Sequence, residues 1–419
     1  MRNYVFFAER PVSDYRKSDT LFIAIVVLLW GLGLFTLFVC TPFVGERFFG
    51  SRYYFVVRHV SASVLGGASM ITFAVLPMKV IKRFSFMLAA CSFLLCVMTF
   101  IPAFRDEKNG AARWISIGSL SFQPSELVKL SIVLYLSFLF DKHSSEYEED
   151  SKESLYPIAA LVLFSLIIAR QRDLSTSMFV LGLGFSIFLI SGTSVKWILP
   201  IITLAIPAGI LMILTEQYRL NRILAYIMPE QYKSTTYFQN LVASRAIHSG
   251  GFFGVGTGVE LERVSGIPEV QTDYIFAGWA TSMGALGVTL FFILIAAFAV
   301  RGFRIAFRCP NRFAAYGAFG CTLSIFVQTV LNCGVVCGSL PTTGIPLPFF
   351  SSGGSSLIVT MAMCGFIINA SHCSQESDDE FVDTGRKKDK KKKNSSETDD
   401  EIESFGGVVV EDEGCCVFS

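Results

Sequence analysis

A handful of polar residues in this chain have the types and spacing that acid–base or phosphate chemistry requires. Asp273 stands in GIPEVQTDYIFAGWATSMGALG, where an acid-bearing polar stretch runs straight into an aromatic and apolar segment. A carboxylate there either serves as a general base or sits in the first turn of a helix capped by Thr272, where the positive end of the helix dipole favours its ionised form. Glu126 and Lys129 in FQPSELVKL are three apart, so a helix entered at Pro124 carries both on one face. They read either as a structural ion pair or as groups that meet a substrate. Asp173 in QRDLSTS either caps a helix or faces the mouth of a site. Arg113 beside Trp114 in NGAARWISIG, and Arg219 and Arg222 in YRLNRILAYIMPE, supply guanidinium groups able to clamp phosphate or to anchor a loop. The glycines of HSGGFFGVGTGVE either let backbone N–H groups approach a phosphate or only permit tight turns; their spacing is not a dinucleotide-binding fingerprint.

The elements that must hold these residues follow from composition. The 419 residues are 52% hydrophobic and 16% charged, with 40 Phe and a mean hydropathy of +0.53, which excludes an ordinary water-soluble domain. Residues 20–40 form an uncharged run long enough to cross a hydrocarbon core of roughly 30 Å as a helix. Similar runs recur near 55–77, 84–103, 122–141, 155–171, 174–193, 197–215, 274–300, 313–338 and 353–372. The expected fold is therefore an all-α integral membrane protein of about ten transmembrane helices, with a large outer loop, 216–272, between the seventh and eighth. An N-terminal arm, 1–19, precedes the membrane domain, 20–372, and a polar tail, 373–419, follows it as a disordered segment. The first run is too long for a cleavable signal and lacks a small-residue cleavage site.

Arg2, Arg10, Arg16 and Lys17, then Lys79, Lys82 and Arg83, then Arg301, Arg304, Arg308 and Arg312 all fall on one side of a ten-span chain, so that side and both termini are expected to be cytoplasmic. The acidic loop DKHSSEYEEDSKES fits the same side. In the tail, the basic run 386–393 reads as a lipid-binding patch or a solvated linker, and the terminal CVFS matches a prenylation box. A net charge of +1 gives no reason to expect nucleic acid. Cys91, Cys96, Cys321, Cys333, Cys337 and Cys364 lie in or at the ends of apolar runs and read as packing residues, and the 4 histidines show no ligand spacing. No dedicated metal site is expected. Ionisable groups inside such helices are costly and mark functional positions by default.

Read in order, NGAARWISIG, FQPSELVKL, QRDLSTS, AIHSGGFFGVGTG, GIPEVQTDYIFA and NCGVVCGSLPTTGIPLPFFSSGGSS resemble the shape, elongation, division and sporulation family of bacterial cell-wall polymerases over residues 15 to 372. The resemblance implies a ten-helix glycosyltransferase of the bacterial inner membrane. Such an enzyme polymerises lipid II, an undecaprenyl-pyrophosphate-linked disaccharide pentapeptide, and works with a class B penicillin-binding transpeptidase and other divisome or elongasome proteins. It carries the family's essential aspartate onto Asp273, the QPSE glutamate onto Glu126, the following lysine onto Lys129 and the outer-loop arginine onto Arg113. With these, Asp173, Arg219, Arg222 and Glu269 are the expected substrate-binding residues, and a divalent cation such as Mg²⁺ is the one cofactor the reaction invites. Septal synthesis is favoured over elongation by the charged arm and long tail. A lipid flippase or transporter and a non-catalytic scaffold are the alternatives. The sequence departs from the family pattern at Thr281 and Ser282, where a Glu pair is usual, at QRDLSTS in place of QPDLGT, and at Val242-Ala243 in place of Gln-Ser.

Overall fold

The computed structural model describes residues 18–108, 111–117, 120–146, 155–192, 199–232, 237–257 and 266–372. The arm before Ser18 and the tail from Cys373, with its basic run and prenylation-like end, lie outside the described residues.

Every one of the ten apolar runs is a helix: α1 (Thr20–Cys40), α3 (Tyr54–Val75), α4 (Met78–Met98), α5 (Pro124–Glu146), α6 (Leu155–Arg170), α7 (Leu174–Ile190), α8 (Leu199–Leu214), α11 (Ile275–Arg308), α12 (Arg312–Val336) and α13 (Gly354–His372). Six of these, α1, α3, α4, α11, α12 and α13, are long and apolar enough to cross a membrane. The other four fall short of that measure: α6, α7 and α8 have 16 or 17 residues, and α5 carries Glu126, Lys129 and Asp141. The connections hold further helices: α2 (Pro42–Phe49), which Pro42 opens and the left-handed Gly50 closes, α9 (Gln217–Ile227) and α10 (Phe238–Gly250).

The chain is not wholly helical. Between α4 and α5 lies a three-stranded antiparallel sheet, β1 (Arg105–Lys108), β2 (Ala111–Ile117) and β3 (Leu120–Phe122), in the order β1-β2-β3. Arg105 pairs with Ile115 and Ile115 with Phe122, and a bulge lies between Asp106 and Glu107. Ile115, at the centre of RWISI, is buried, while Arg113, Trp114 and Ser116 are half-buried.

Helices α5, α12 and α13 are the most buried and form the centre. Helix α12 packs against α5, α7 and α11, and its Gly317 and Gly320 leave no room for a Cβ beside Phe366 and Val133. Helix α11 also packs on α1 and α10. Its continuity is interrupted at Gly284, whose backbone (φ 64°, ψ −167°) is not helical. The break frees four backbone groups, and the glycine-rich segment after α10 takes them up: Val255 and Gly256 N–H donate to the Thr281 and Ser282 carbonyls, and Ala285 and Leu286 N–H donate to Gly251 and Phe252. A Cβ on Gly254 would lie 2.1 Å from the Ser282 oxygen, so this close backbone approach requires glycine. Over residues 251–256 the N–H groups of Gly251 and Gly254 go to α10 carbonyls and those of Val255 and Gly256 to α11, so these four are engaged within the protein rather than open to a phosphate.

Candidate active site at one end of the bundle

Three connections meet at one end of the bundle. The turn 266–274 leads into α11, the loop 337–353 joins α12 to α13, and the turn 171–173 joins α6 to α7. Asp273 lies on the first of them. Helix α11 starts only at Ile275, with no side-chain cap, so Thr272 does not cap it and Asp273 is not in its first turn. The Thr272 hydroxyl instead turns back to Glu269, whose carbonyl and Oε2 lie at 3.2 and 3.1 Å. Glu269 makes this possible with a left-handed backbone, φ 55°.

The peptide units around Asp273 are fixed from the loop side. Asn332 Nδ2 donates at 2.8 Å both to the Asp273 carbonyl and to the Ile345 carbonyl. Ser351 Oγ donates to the Thr272 carbonyl at 2.6 Å, and Ser352 N–H donates to Gln271 at 2.9 Å. Gly344 lies so close that a Cβ there would sit 3.5 Å from Asp273 Oδ2. Asp273 is partly buried, and burial pushes its carboxyl up to about 6. Glu269 adds to the rise, while Arg222 and Arg113 oppose it.

The arginines come from three separate elements. Arg222 on α9 donates to the Thr342 carbonyl at 3.1 Å, and Arg219, one turn earlier, donates to Met212 at 2.8 Å. Burial lowers the pKa of Arg219 from the usual arginine range; Glu216 and Asp173 oppose that fall, and Arg113 and Arg172 add to it. Arg113 on β2 donates through Nη2 to the Arg172 carbonyl at 2.6 Å, while its Nε is 3.8 Å from Asp173 Oδ2. Asp173 is also the cap of α7, accepting from Thr176 N–H at 3.2 Å, so one carboxylate both caps the helix and lies beside Arg113.

Glu126 and Lys129 lie beneath the mouth and out of reach of solvent, 3% exposed each, with Lys129 Nζ 2.7 Å from Glu126 Oε2. Lys129 also donates to Gln328 Oε1 at 2.6 Å, and Gln328 Nε2 donates to the Pro346 carbonyl at 2.8 Å. The buried pair thus supports the loop that lies against Asp273. Thr281 and Ser282 are buried too, their hydroxyls donating to Ala277 and Gly278 within the helix at 2.7 Å. Sequence reasoning missed Gln328 and Asn332, although two amide side chains four apart in an apolar run were a usable signal. Among the described residues, no group of three His, Cys, Asp or Glu side chains could hold a metal ion. Beside the loop, an apolar cleft of about 430 Å³ runs between α7 and α12, from Ser186 and Gly182 up to Thr343 and Ile345.

A family described as cell cycle protein, of the FtsW, RodA and SpoVE type, matches residues 19–376. The probable peptidoglycan glycosyltransferase FtsW of Geobacter metallireducens is 29% identical over 360 residues, 86% of this chain and 96% of that protein. FtsW of Nitrosomonas europaea is 33% identical over 350 residues, 82% and 90% of the two chains. Stage V sporulation protein E of Bacillus subtilis is 30% identical over 361 residues, 86% and 98%. Among solved structures, a chain from a peptidoglycan synthase complex that coordinates polymerization and crosslinking superposes with a TM-score of 0.70 at 24% identity, covering 85% of this chain and 98% of that one. The rod shape determining protein RodA of Thermus thermophilus gives 0.62 at 24% identity, covering 85% and 97%.

Proposed function

The chain belongs to the FtsW, RodA and SpoVE family of cell cycle proteins, and on that premise we propose that Asp273 is the general base of its glycosyl transfer. The protein is a membrane-embedded peptidoglycan glycosyltransferase, as its curated relatives are named, and the FtsW names among them favour septal synthesis. Its substrate is lipid II. Its partner is a class B transpeptidase, in keeping with the polymerization and crosslinking complex whose chain shares the fold.

The observation that carries this reading is the placement of Asp273: a carboxylate with its pKa near 6, at the mouth of the helical bundle, with Arg113 and Arg222 close enough to act on it. In the reaction an acceptor sugar hydroxyl attacks the anomeric carbon of the donor, that carbon's bond to the pyrophosphate oxygen breaks, and the hydroxyl proton passes to Asp273. Displacement in one step inverts the anomeric carbon. A base near 6 is stronger than an ordinary aspartate and still ionised at neutral pH, which suits proton removal concerted with bond formation. Arg113, Arg219 and Arg222 offset the charge that develops on the leaving pyrophosphate. Asp173 holds Arg113, and Glu269 shapes the turn that carries Asp273. Glu126 and Lys129 act through the 337–353 loop, as positioning groups. A divalent cation such as Mg²⁺ would arrive with the pyrophosphate, since Asp173 and Glu269 are already engaged by neighbours. The cleft between α7 and α12 suits the polyprenyl tail of such a substrate.

We place all ten helices across the bacterial inner membrane, with the Asp273 end outside. Helices of 16 or 17 residues span about 24–26 Å at 1.5 Å per residue, close to the hydrocarbon thickness. The positive-inside rule puts Lys79, Lys82, Arg304 and Arg308 in the cytoplasm with both termini. A reporter fused after Tyr232 should then read outside and one after Arg308 inside; the same side for both would refute this topology.

Polymerisation of purified lipid II, with and without a transpeptidase partner, separates the three function classes. Asp273→Asn should bind lipid II and the partner normally while polymerising at least about 100-fold more slowly, the usual contribution of a positioned base. Lipid II translocation without polymer would favour a flippase, and partner binding with neither activity would favour a scaffold.

A further inference from the structure

The turn between α6 and α7 contains a cation that the chemistry above leaves unused. Arg172 has φ 65°, a left-handed backbone uncommon for any residue with a Cβ and closed to proline, whose ring fixes φ near −65°. Proline is the residue that the QPDLGT pattern places here. Two contacts follow from the turn this chain makes instead. The Arg172 carbonyl accepts from Arg113 Nη2 at 2.6 Å and so fixes a guanidinium whose Nε makes no hydrogen bond. The Arg172 side chain, 60% exposed, stands 3.8 Å from Glu216 Oε1 and acts electrostatically on Arg219. An exposed ion pair at that separation is screened and weak.

We propose that Arg172 is a further substrate-binding residue: its guanidinium binds the pyrophosphate of the lipid-linked donor, and its left-handed carbonyl holds Arg113 for the same group. This rests on the glycosyltransferase reading. Arg113 and Arg172 then face Asp173 and Glu216, Arg219 and Arg222 are held on main-chain carbonyls, and a dianionic pyrophosphate is a ligand that several guanidinium groups can bind together. Planar guanidinium groups suit its paired oxygens better than ammonium groups would.

The test separates side chain from backbone. Arg172→Gly keeps the left-handed turn and the carbonyl and removes only the guanidinium, whereas Arg172→Pro removes both. With full-length protein in detergent, Arg172→Gly should melt no lower than wild type. Its KM for lipid II should rise about tenfold, the value of one charge-assisted hydrogen-bonded contact, with kcat within about twofold. The inhibition constant for inorganic pyrophosphate should rise in parallel, and Arg172→Lys should recover part of both changes. Arg172→Pro should lose kcat as well, because Arg113 loses its anchor. Wild-type KM and wild-type pyrophosphate inhibition in Arg172→Gly would overturn the proposal. Should wild type fail to polymerise lipid II, the glycosyltransferase reading itself fails. Calorimetric titration with inorganic pyrophosphate then still decides on Arg172, with equal affinity in wild type and Arg172→Gly counting against it.

Discussion

The two ends of the helical bundle are built differently. At the end holding Asp19, α1 and α12 start on side-chain caps: Asp19 accepts from Phe22 N–H at 2.9 Å and Asn311 from Ala314 N–H at 3.1 Å. Ion pairs there join helix to helix, Arg301 to Asp19 at 2.7 Å and Lys82 to Asp141. At the end holding Asp273, Asp173 caps α7, while α9, α10 and α11 start without a side-chain cap. Arg172, Glu269 and Phe349, the only non-glycine residues of positive φ among the described residues, all belong to the three connections that meet there. Each such backbone costs of order 1–3 kcal/mol and persists only where its surroundings impose it. The far end is arranged for stability, and the mouth gives stability up to hold a carboxylate and several guanidinium groups in place.

The largest effect should come from the structure beneath the mouth. Lys129→Met leaves Glu126 buried without its cation and should cost about 3–5 kcal/mol in a detergent unfolding titration. Adding Glu126→Gln to it should restore most of that loss; a single variant as stable as wild type would show that the pair supports nothing. At the far end, Asp19→Ala removes a cap and an ion pair at once and should cost about 2 kcal/mol while leaving kcat unchanged. Lost activity with intact stability would erase the contrast between the ends. Glu269→Gly should have the opposite sign, a gain of about 1 kcal/mol from relieving a left-handed backbone, accompanied by slower polymerisation. The smallest effect belongs to Glu46→Gln, which removes an exposed pair with Arg52 and should change stability by less than about 1 kcal/mol.

Most of the bundle was legible because a spanning helix needs a long apolar run, and all ten runs became helices. The sheet was not foreseen, although Asn109-Gly110 between alternating segments is a hairpin signal. Its strands are short and β1 is wholly charged, so hydropathy does not reveal them. The break at Gly284 was also hidden, since the apolar pattern of α11 continues through it and only the neighbouring glycines betray the backbone ladder. At the candidate site, Asp273, Arg113 and Asp173 stand out from residue type and motif, and the fold brings them to one end of the bundle. Asn332, Gln328 and Ser351 were not, because they act by binding backbone carbonyls distant in sequence, a relation that no local pattern records. Arg172 was visible only as a departure from a pattern. Its role depends on a backbone angle that the sequence does not state.

The central claim is that the Asp273 carboxylate takes the proton from the acceptor. Its raised pKa means that the folded protein holds this proton more tightly than the unfolded chain does. Stability from this group is therefore full below about 4 and lost as pH rises through about 6. Catalysis runs the other way, because the base works only when ionised. The most direct test is the single-turnover rate of lipid II polymerisation between pH 4.5 and 8.5 in wild type and in Asp273→Asn. Wild type should rise tenfold per pH unit at the acid end, bend near 6 and level off above 7, while Asp273→Asn should be flat over the acid limb and at least about 100-fold slower on the plateau. An Asp273→Asn variant that keeps both the wild-type rate and the wild-type bend would contradict the account.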